Sequence, residues 1–257
     1  MAQKKKKRVE SPKPAPPSAP PAPEKSKRSI GIFVAVGILI LAGAAAFYLF
    51  RFRSSVASGA FKNYNVLFIT LDTTRADHLP IYGYDRVKTP SLDRLGSSSF
   101  VFDDAISHVP LTLPSHTAML TGMLPISNGM RDNAGFFLDQ KITTLPEILK
   151  SKGYATSAFI SAFVLDSRWQ LNQGFDLYYD NFNLEEFKQL NPQDAQRKAE
   201  ETEAEAEHWL ESNKNHPFFS WVHFYDPHEP YDPPEPFKSE YPDRPYDGEI
   251  AYMDVYM

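Results

Sequence analysis

The stretch Asn65-Val66-Leu67-Phe68-Ile69-Thr70-Leu71-Asp72 opens the folded part of this chain. Its four consecutive apolar side chains, two of them β-branched, suit a short strand covered on both faces, as strands of parallel sheets are. Two later runs repeat the pattern, Ala155 to Ala162 (ATSAFISA) and Phe218 to Phe224 (FFSWVHF). Between these runs lie helix signals. Thr144-Leu145-Pro146-Glu147 is a capping box, and Gly153 stands where that helix should stop. A Glu/Ala-rich stretch within Asn191 to Asn215 reads as a solvated surface helix with Trp209 and Leu210 turned inward. Strands alternating with helices predict an α/β fold with a mainly parallel central sheet flanked by helices. No internal repeat is visible.

Upstream of this region the composition changes. Of 257 residues, 42% are hydrophobic, enough for one sizeable core. The net charge of −5 is the sum of a basic leader, residues 1–53 at +9, and an acidic remainder at −14. An acidic folded part argues against nucleic-acid binding, and an anionic substrate would need a local cation to offset the field. The chain has no cysteine, so disulfides and thiolate metal sites are excluded. Lys4 to Arg8 is a basic run and Ser11 to Pro23 is Pro/Ala-rich, a composition that has little to bury. Ile30 to Phe50 contains no charge and is long enough to cross a bilayer. The excess of Lys and Arg before it predicts an N-terminus on the cytoplasmic side. A cleaved signal peptide is the competing reading, but the apolar run continues past the small residues Ala42-Gly43-Ala44 to Arg51, as an anchor would. The resulting division is a tail over 1–28, a transmembrane helix over 29–50, a linker over 51–63 and a globular part over 64–257.

In open α/β sheets, ligands bind beyond the carboxyl ends of the strands. The first strand ends at Asp72, followed by Thr73, Thr74 and Arg75, and the last ends in Asp226-Pro227-His228. Between them, Thr112-Leu113-Pro114-Ser115-His116 opens an apolar helix. Pro114 suits the first turn of that helix, and Thr112 is expected just before it, beside free backbone N–H groups that can receive an anion. A threonine hydroxyl is a weak nucleophile unless activated, and a divalent metal held by carboxylates can do so. Each residue also has a plainer use. Asp72 can cap a turn, Thr112 a helix. Arg75 can pair with Asp77 or Asp85, His116 can be a packed core histidine, and His228 can be a hydrogen-bonded loop residue.

Four ordered segments carry a family resemblance. Asn65 to Asp72 resembles the opening strand of the sulfatase family, within the alkaline phosphatase superfamily. Thr89-Pro90-Ser91-Leu92-Asp93-Arg94-Leu95 resembles its T-P-N-L-D-x-L segment. Thr112 to His116, with Leu120-Thr121-Gly122, resembles the C/S-x-P-S-R…L-T-G nucleophile motif. Pro227-His228-Glu229-Pro230 resembles the P-H-x-P element. The resemblance implies a metal ligand at Asp72 and a nucleophile at Thr112 that also touches the metal. It implies a substrate-contacting or proton-donating histidine at His228. His116 and Arg75 are expected to contact substrate, Asn133 to reach the anion, and Asp226 to be a ligand, a partner of His228 or a turn residue. The implied cofactor is a divalent ion: oxygen ligands suit calcium, magnesium or manganese, and added histidines suit zinc.

The departures from the family pattern shape the implied chemistry. Threonine at position 112 cannot become the formylglycine aldehyde of classical sulfatases. Asp72-Thr73 replaces Asp-Asp, His116 replaces an arginine, and Ser161-Ala162-Phe163 stands where Lys-x-His is usual. A threonine nucleophile resembles the phosphodiesterase and phosphoethanolamine-transferase branches, so phosphate esters are favoured over sulfate esters. A sulfatase proper and a non-catalytic binding module of the same fold are the alternatives. The region 64–257 corresponds to the N-terminal part of a family domain, whose further metal ligands would be expected after Met257.

Overall fold

The computed structural model describes residues 27–52, 59, 61–182 and 195–257. The expected tail and most of the linker lie outside these. Two compact units are present, Met1–Ala60 and Phe61–Met257. In the first, helix α1 spans Lys27–Phe52. Its side chains are described over 31–47, where large apolar residues such as Phe33 and Leu39 are exposed. Apolar residues surround its axis, so it has no polar face of the kind a surface helix shows. Among the described residues, no helix is long and apolar enough to cross a membrane.

The second unit is built on four parallel strands. β1 (Val66–Leu71) is followed by α2 (Pro90–Ser97), α3 (Thr112–Thr121), α4 (Pro125–Asn128) and α5 (Leu145–Lys150). Next come β2 (Ala155–Ile160), β3 (Leu177–Tyr179), α6 (Ala199–Asn213), β4 (Phe218–Phe224), α7 (Phe237–Glu240) and α8 (Pro245–Val255). The sheet order is β1-β4-β2-β3, with every pair parallel. The expected α/β architecture is therefore present, and the apolar β4 run is buried at all seven positions. The capping box at Thr144 and Glu147 forms as expected. The short strand β3 was not announced by the sequence, because three residues cannot display a period. The second strand ends at Ile160, two residues earlier than expected, after which Ala162 bridges to Gln196.

The strand period of two sorts side chains to opposite faces. On β4, Phe219 and Trp221 join the core that contains Leu113 and Leu120 of α3. Val222 and Phe224 join the other core, with Ala199 and Ala206 of α6 and Tyr252 and Met253 of α8. On β1, Phe68 packs with the first core, and Ile69 and Leu71 with the second. Parity then sends Thr70 and Asp72, and His223 of β4, toward α3. The Trp221 indole N–H donates to the Thr70 hydroxyl at 3.0 Å, which confirms the face.

The ends of the helices are closed by specific devices. Gly122 takes the left-handed conformation (φ 66°) that terminates α3. Gly174 (φ 85°) leaves no room for a Cβ, which would stand 2.4 Å from the Glu147 backbone nitrogen. The Asp254 carboxylate accepts from the backbone N–H groups of Ser91 and Leu92 at 2.9 and 2.8 Å. It therefore caps α2 and ties α8 to the Thr89–Leu95 segment.

Candidate active site

At the carboxyl edge of the sheet a cleft of about 590 Å³ is lined by Asp72, Thr73 and Thr74 after β1 and by Thr112, Ser115, His116 and Met119 of α3. Asn133 and His228 complete the polar lining. Thr112 is the first residue of α3, because Leu111 (φ −137°, ψ 133°) is still extended and acts as the N-cap. Thr112 thus sits one position further into the helix than expected. The anticipated row of free N–H groups is also reduced. Pro114 has none, and the Leu113 N–H donates to Asn133 Oδ1 at 3.0 Å. Asn133 lines the cleft, but its oxygen serves as a cap for α3.

Three side chains that parity brings to one face converge beside Thr112. A carboxylate oxygen of Asp72 and a ring nitrogen from each of His116 and His223 all lie within 4.8 Å of one another. Burial would raise the Asp72 carboxyl. The hydrogen bond and charge of His223, the charge of His116 and the hydroxyl of Thr112 outweigh burial and hold it at about 2. His223 Nε2 lies 3.3 Å from Asp72 Oδ2. His116 is pushed down to about 4, chiefly by burial and then by His223. Its Nδ1 lies 2.7 Å from the Thr112 carbonyl, which can only accept, so Nδ1 carries the proton and Nε2 presents a lone pair. That Nε2 is buried with no hydrogen-bond partner, as is His223 Nδ1. Leaving such a group unpaired costs about 1–3 kcal/mol, and a cation beside Asp72 would satisfy the lone pair of His116. The donor set therefore fits a divalent ion held by Asp72, His116 and His223.

The other walls of the cleft are pinned by polar contacts. Thr73 is a β-branched residue at φ 49°, a strained conformation. Its hydroxyl donates to the Pro227 carbonyl and its carbonyl accepts from the Tyr246 hydroxyl at 2.7 Å. These contacts link the loops after β1 and β4. His228 stacks on Tyr225 with ring centroids 4.1 Å apart. Its Nδ1 donates to the Glu229 carbonyl at 2.9 Å, and its Nε2 accepts from the Tyr225 hydroxyl at 2.8 Å. The His228 backbone N–H donates to Glu249, whose other oxygen accepts from Asp232 N–H. Burial, followed by the charge of Asp226, outweighs these N–H bonds and raises Glu249 to about 7.

Thr112, His228, Asp72, His116 and Asn133 are thus brought to one cleft, and two expected residues are not. Arg75 is exposed and pairs with Asp77 at 2.6 Å, away from the cleft. Its backbone N–H donates to the Tyr246 hydroxyl at 2.9 Å, and Arg75 is not among the residues lining the cleft. Asp226 accepts from Ala199 N–H at 3.1 Å, capping α6, and lies outside the Asp72 cluster. Burial pushes it up to about 6. His116, expected to touch substrate, lines the cleft with a buried ring that faces Asp72 and His223. His223 was missed altogether. The available signal was a lone histidine in an otherwise apolar strand, on the same parity as Trp221.

Comparison with known proteins adds the following. A family model described as Sulfatase matches residues 64–257. Human N-acetylgalactosamine-6-sulfatase is 35% identical over 142 residues, which cover 49% of this chain and 27% of the relative. The N-acetylglucosamine-6-O-sulfatase of Bacteroides thetaiotaomicron is 32% identical over 119 residues, covering 45% and 20%. The chain thus spans about a quarter of the length of these curated relatives. The phosphonate monoester hydrolase of Agrobacterium radiobacter superposes with a TM-score of 0.61 at 17% identity, covering 75% of this chain and 57% of that one. A protein solved with its substrate D-glucosamine-2-N,6-O-disulfate superposes with a TM-score of 0.59 at 23% identity, covering 69% and 37%. The structural likenesses establish the fold.

Proposed function

This chain belongs to the sulfatase family, and from that premise we propose that it is a membrane-anchored, metal-dependent hydrolase or transferase of phosphate esters with Thr112 as its nucleophile. The observation that carries the proposal is the meeting of the Thr112 hydroxyl with a carboxylate held at about 2, beside two buried histidines, in an open cleft. No Lys or Arg lines this cleft among the described residues. Asp72, His116 and His223 would hold a divalent ion, which when bound would supply the positive charge that an anionic ester needs and lower the pKa of a neighbouring hydroxyl.

The roles of the chain's own residues follow from their positions. Thr112 Oγ is presented on the first turn of a helix anchored by Leu113, Thr117 and Leu120, which are fully or almost fully buried. Its attack on phosphorus would expel the ester oxygen and leave a covalent intermediate on Thr112, released to water or another acceptor. His228 lines the same cleft and is assigned to contact the ester or pass a proton to the leaving oxygen. Tyr225 and Glu249 hold its ring and backbone in one orientation, as proton transfer requires. Val109, Leu111 and Met119 give the cleft an apolar wall for the rest of the substrate.

Sulfate-ester hydrolysis is the second reading, favoured by the curated relatives, which are sulfatases of amino sugars. The anchor is assigned to Ile30 to Phe50 on the strength of its sequence, which carries no charge over a length that could cross a bilayer; the described part of α1 by itself does not reach that length and apolarity. The basic flank before it supports an N-terminus in the cytoplasm and residues 64–257 outside it.

The test is turnover by the full chain of an aryl phosphate monoester, an aryl phosphate diester and an aryl sulfate, each with and without added metal. Phosphate-ester turnover that disappears in Thr112→Ala is the expected result. Turnover of the sulfate alone would overturn the phosphate assignment, and metal binding without any turnover would favour a binding module.

A further inference from the structure

The sulfatase-like pattern implies an oxygen-rich metal centre, yet two positions that could add oxygen beside Asp72 are turned elsewhere among the described residues. Thr73 stands where a second carboxylate is usual, and its hydroxyl is taken by the Pro227 carbonyl. Asp226, the other carboxylate on this edge, caps α6. Beside Asp72 the described residues offer the Thr112 hydroxyl and two imidazoles, His116 from α3 and His223 from the middle of a fully buried strand. We infer that Asp72, His116 and His223 contribute one carboxylate and two imidazoles to a centre that takes zinc or a similar nitrogen-seeking transition ion in preference to calcium or magnesium. The inference rests on reading the cleft as the ester-processing site.

Three observations carry it. The first is chemical. Calcium takes six to eight oxygens and magnesium keeps an octahedral oxygen shell, whereas imidazole suits zinc, iron, nickel and copper. The second is the state of His116. It is 5% exposed, its Nδ1–H is committed to the Thr112 carbonyl, and its Nε2 has no partner. A histidine whose far nitrogen is fixed by a carbonyl has its tautomer and ring plane set, which is the arrangement metal-binding histidines show. The third is rigidity. The His116 ring stacks on Trp221 at 5.5 Å and meets His223 edge-on at 4.9 Å. His223 is fully buried and in register with Thr70 on β1. His116 and His223 are therefore held within α3 and β4, and Asp72 in the turn directly after β1, where its N–H donates to the Phe224 carbonyl at 2.9 Å.

The placement has a consequence for the hydroxyl. The residue whose carbonyl orients His116 is Thr112, so an ion drawn to His116 Nε2 also fixes the first turn of the helix that carries the nucleophile. Metal binding should consequently order α3, and the effect is readable without substrate.

The experiment is metal binding by the chelator-stripped full chain, measured by competition with a chromogenic chelator for zinc, manganese, calcium and magnesium. Cobalt absorption serves as a spectroscopic report of nitrogen ligation. The expected result is zinc binding at least 100-fold tighter than calcium, with visible cobalt bands. His116→Gln and His223→Gln keep the ring volume closely enough to fold, which circular dichroism checks. Each should weaken zinc by more than the roughly 10–100-fold lost when an outer-shell partner is removed. Calcium binding as tight as zinc, or zinc affinity unchanged in both folded variants, would overturn the inference. Ester turnover is scored separately. Turnover supported by calcium alone would sink the metal assignment and leave the functional reading standing, whereas tight zinc binding with no ester turned over would do the reverse.

Discussion

Asp72 and Asp226 follow the carboxyl ends of two neighbouring parallel strands, yet the protein treats them oppositely. Asp72 is held at about 2 and Asp226 is raised to about 6. Burial acts on both in the same direction. The difference lies in what they face. Asp72 meets His223, His116 and the Thr112 hydroxyl, so its negative charge is wanted. Asp226 is raised chiefly by burial, which its own N–H, the Ala199 N–H of α6 and the charge of Lys198 do not offset and to which the like charge of Glu200 adds, so its charge is a burden. Position at a sheet edge therefore does not make a carboxylate functional; the groups across from it do.

The comparison is sharpened first by paired substitutions. Asp72→Asn should lower ester turnover by at least about 10³-fold, since it removes the anionic anchor for the cation. Asp226→Asn should leave turnover within about threefold, because Asn can still cap α6 through its oxygen. Steady-state kinetics on both variants checks this, and comparable losses would erase the distinction. His228→Ala is expected to lower kcat by roughly 10²–10⁴-fold if its proton transfer is used. A loss confined to KM would instead make it a binding residue.

Stability against pH provides the next contrast, with opposite signs. The folded pKa of Asp72 is depressed, so its contribution is present above about pH 4 and fades as pH falls toward 2. The folded pKa of Asp226 is raised, so a penalty grows as pH rises from about 4 to 6 and then stays constant. That penalty is roughly 3 kcal/mol at most. Asp226→Asn should therefore raise Tm by several degrees at pH 7 and leave it unchanged near pH 3.5. Thermal melts of the metal-free protein across this range decide the matter, and a uniform shift at every pH would contradict the assignment.

The smallest effect belongs to Arg75. Its pair with Asp77 is exposed on both sides. Arg75→Ala should change stability by no more than about 0.5 kcal/mol and turnover by less than twofold. A tenfold fall in turnover would return this arginine to the site.

Much of this arrangement was legible in the amino-acid order. Apolar runs of six or seven residues announce strands buried on both faces, and a capping box announces a helix start, because both signals are local. Asp72, Thr112 and His228 were visible because they stand where strands and helices begin or end. His223 was hidden for the opposite reason. It lies inside a strand, where one histidine among phenylalanines carries no punctuation, and only the pairing of β4 with β1 shows which face it takes. The surroundings of His116 were hidden for a related cause. Spacing puts it on a helix near Thr112, but only the tertiary fold shows that its ring points at Asp72 and Trp221 instead of at solvent. The fates of Arg75 and Asp226 were equally a matter of loop direction, which four or five residues of sequence do not fix.

The account turns on Thr112 as the attacking group beside Asp72. Rapid acid quench of the metal-loaded full chain during turnover of an aryl phosphate diester, followed by peptide mass spectrometry, tests it most directly. The predicted result is a phosphoryl-ester adduct on the peptide containing Thr112, absent from Thr112→Ala and from Asp72→Asn. Undiminished turnover by Thr112→Ala, with no adduct on the wild-type peptide, would contradict it.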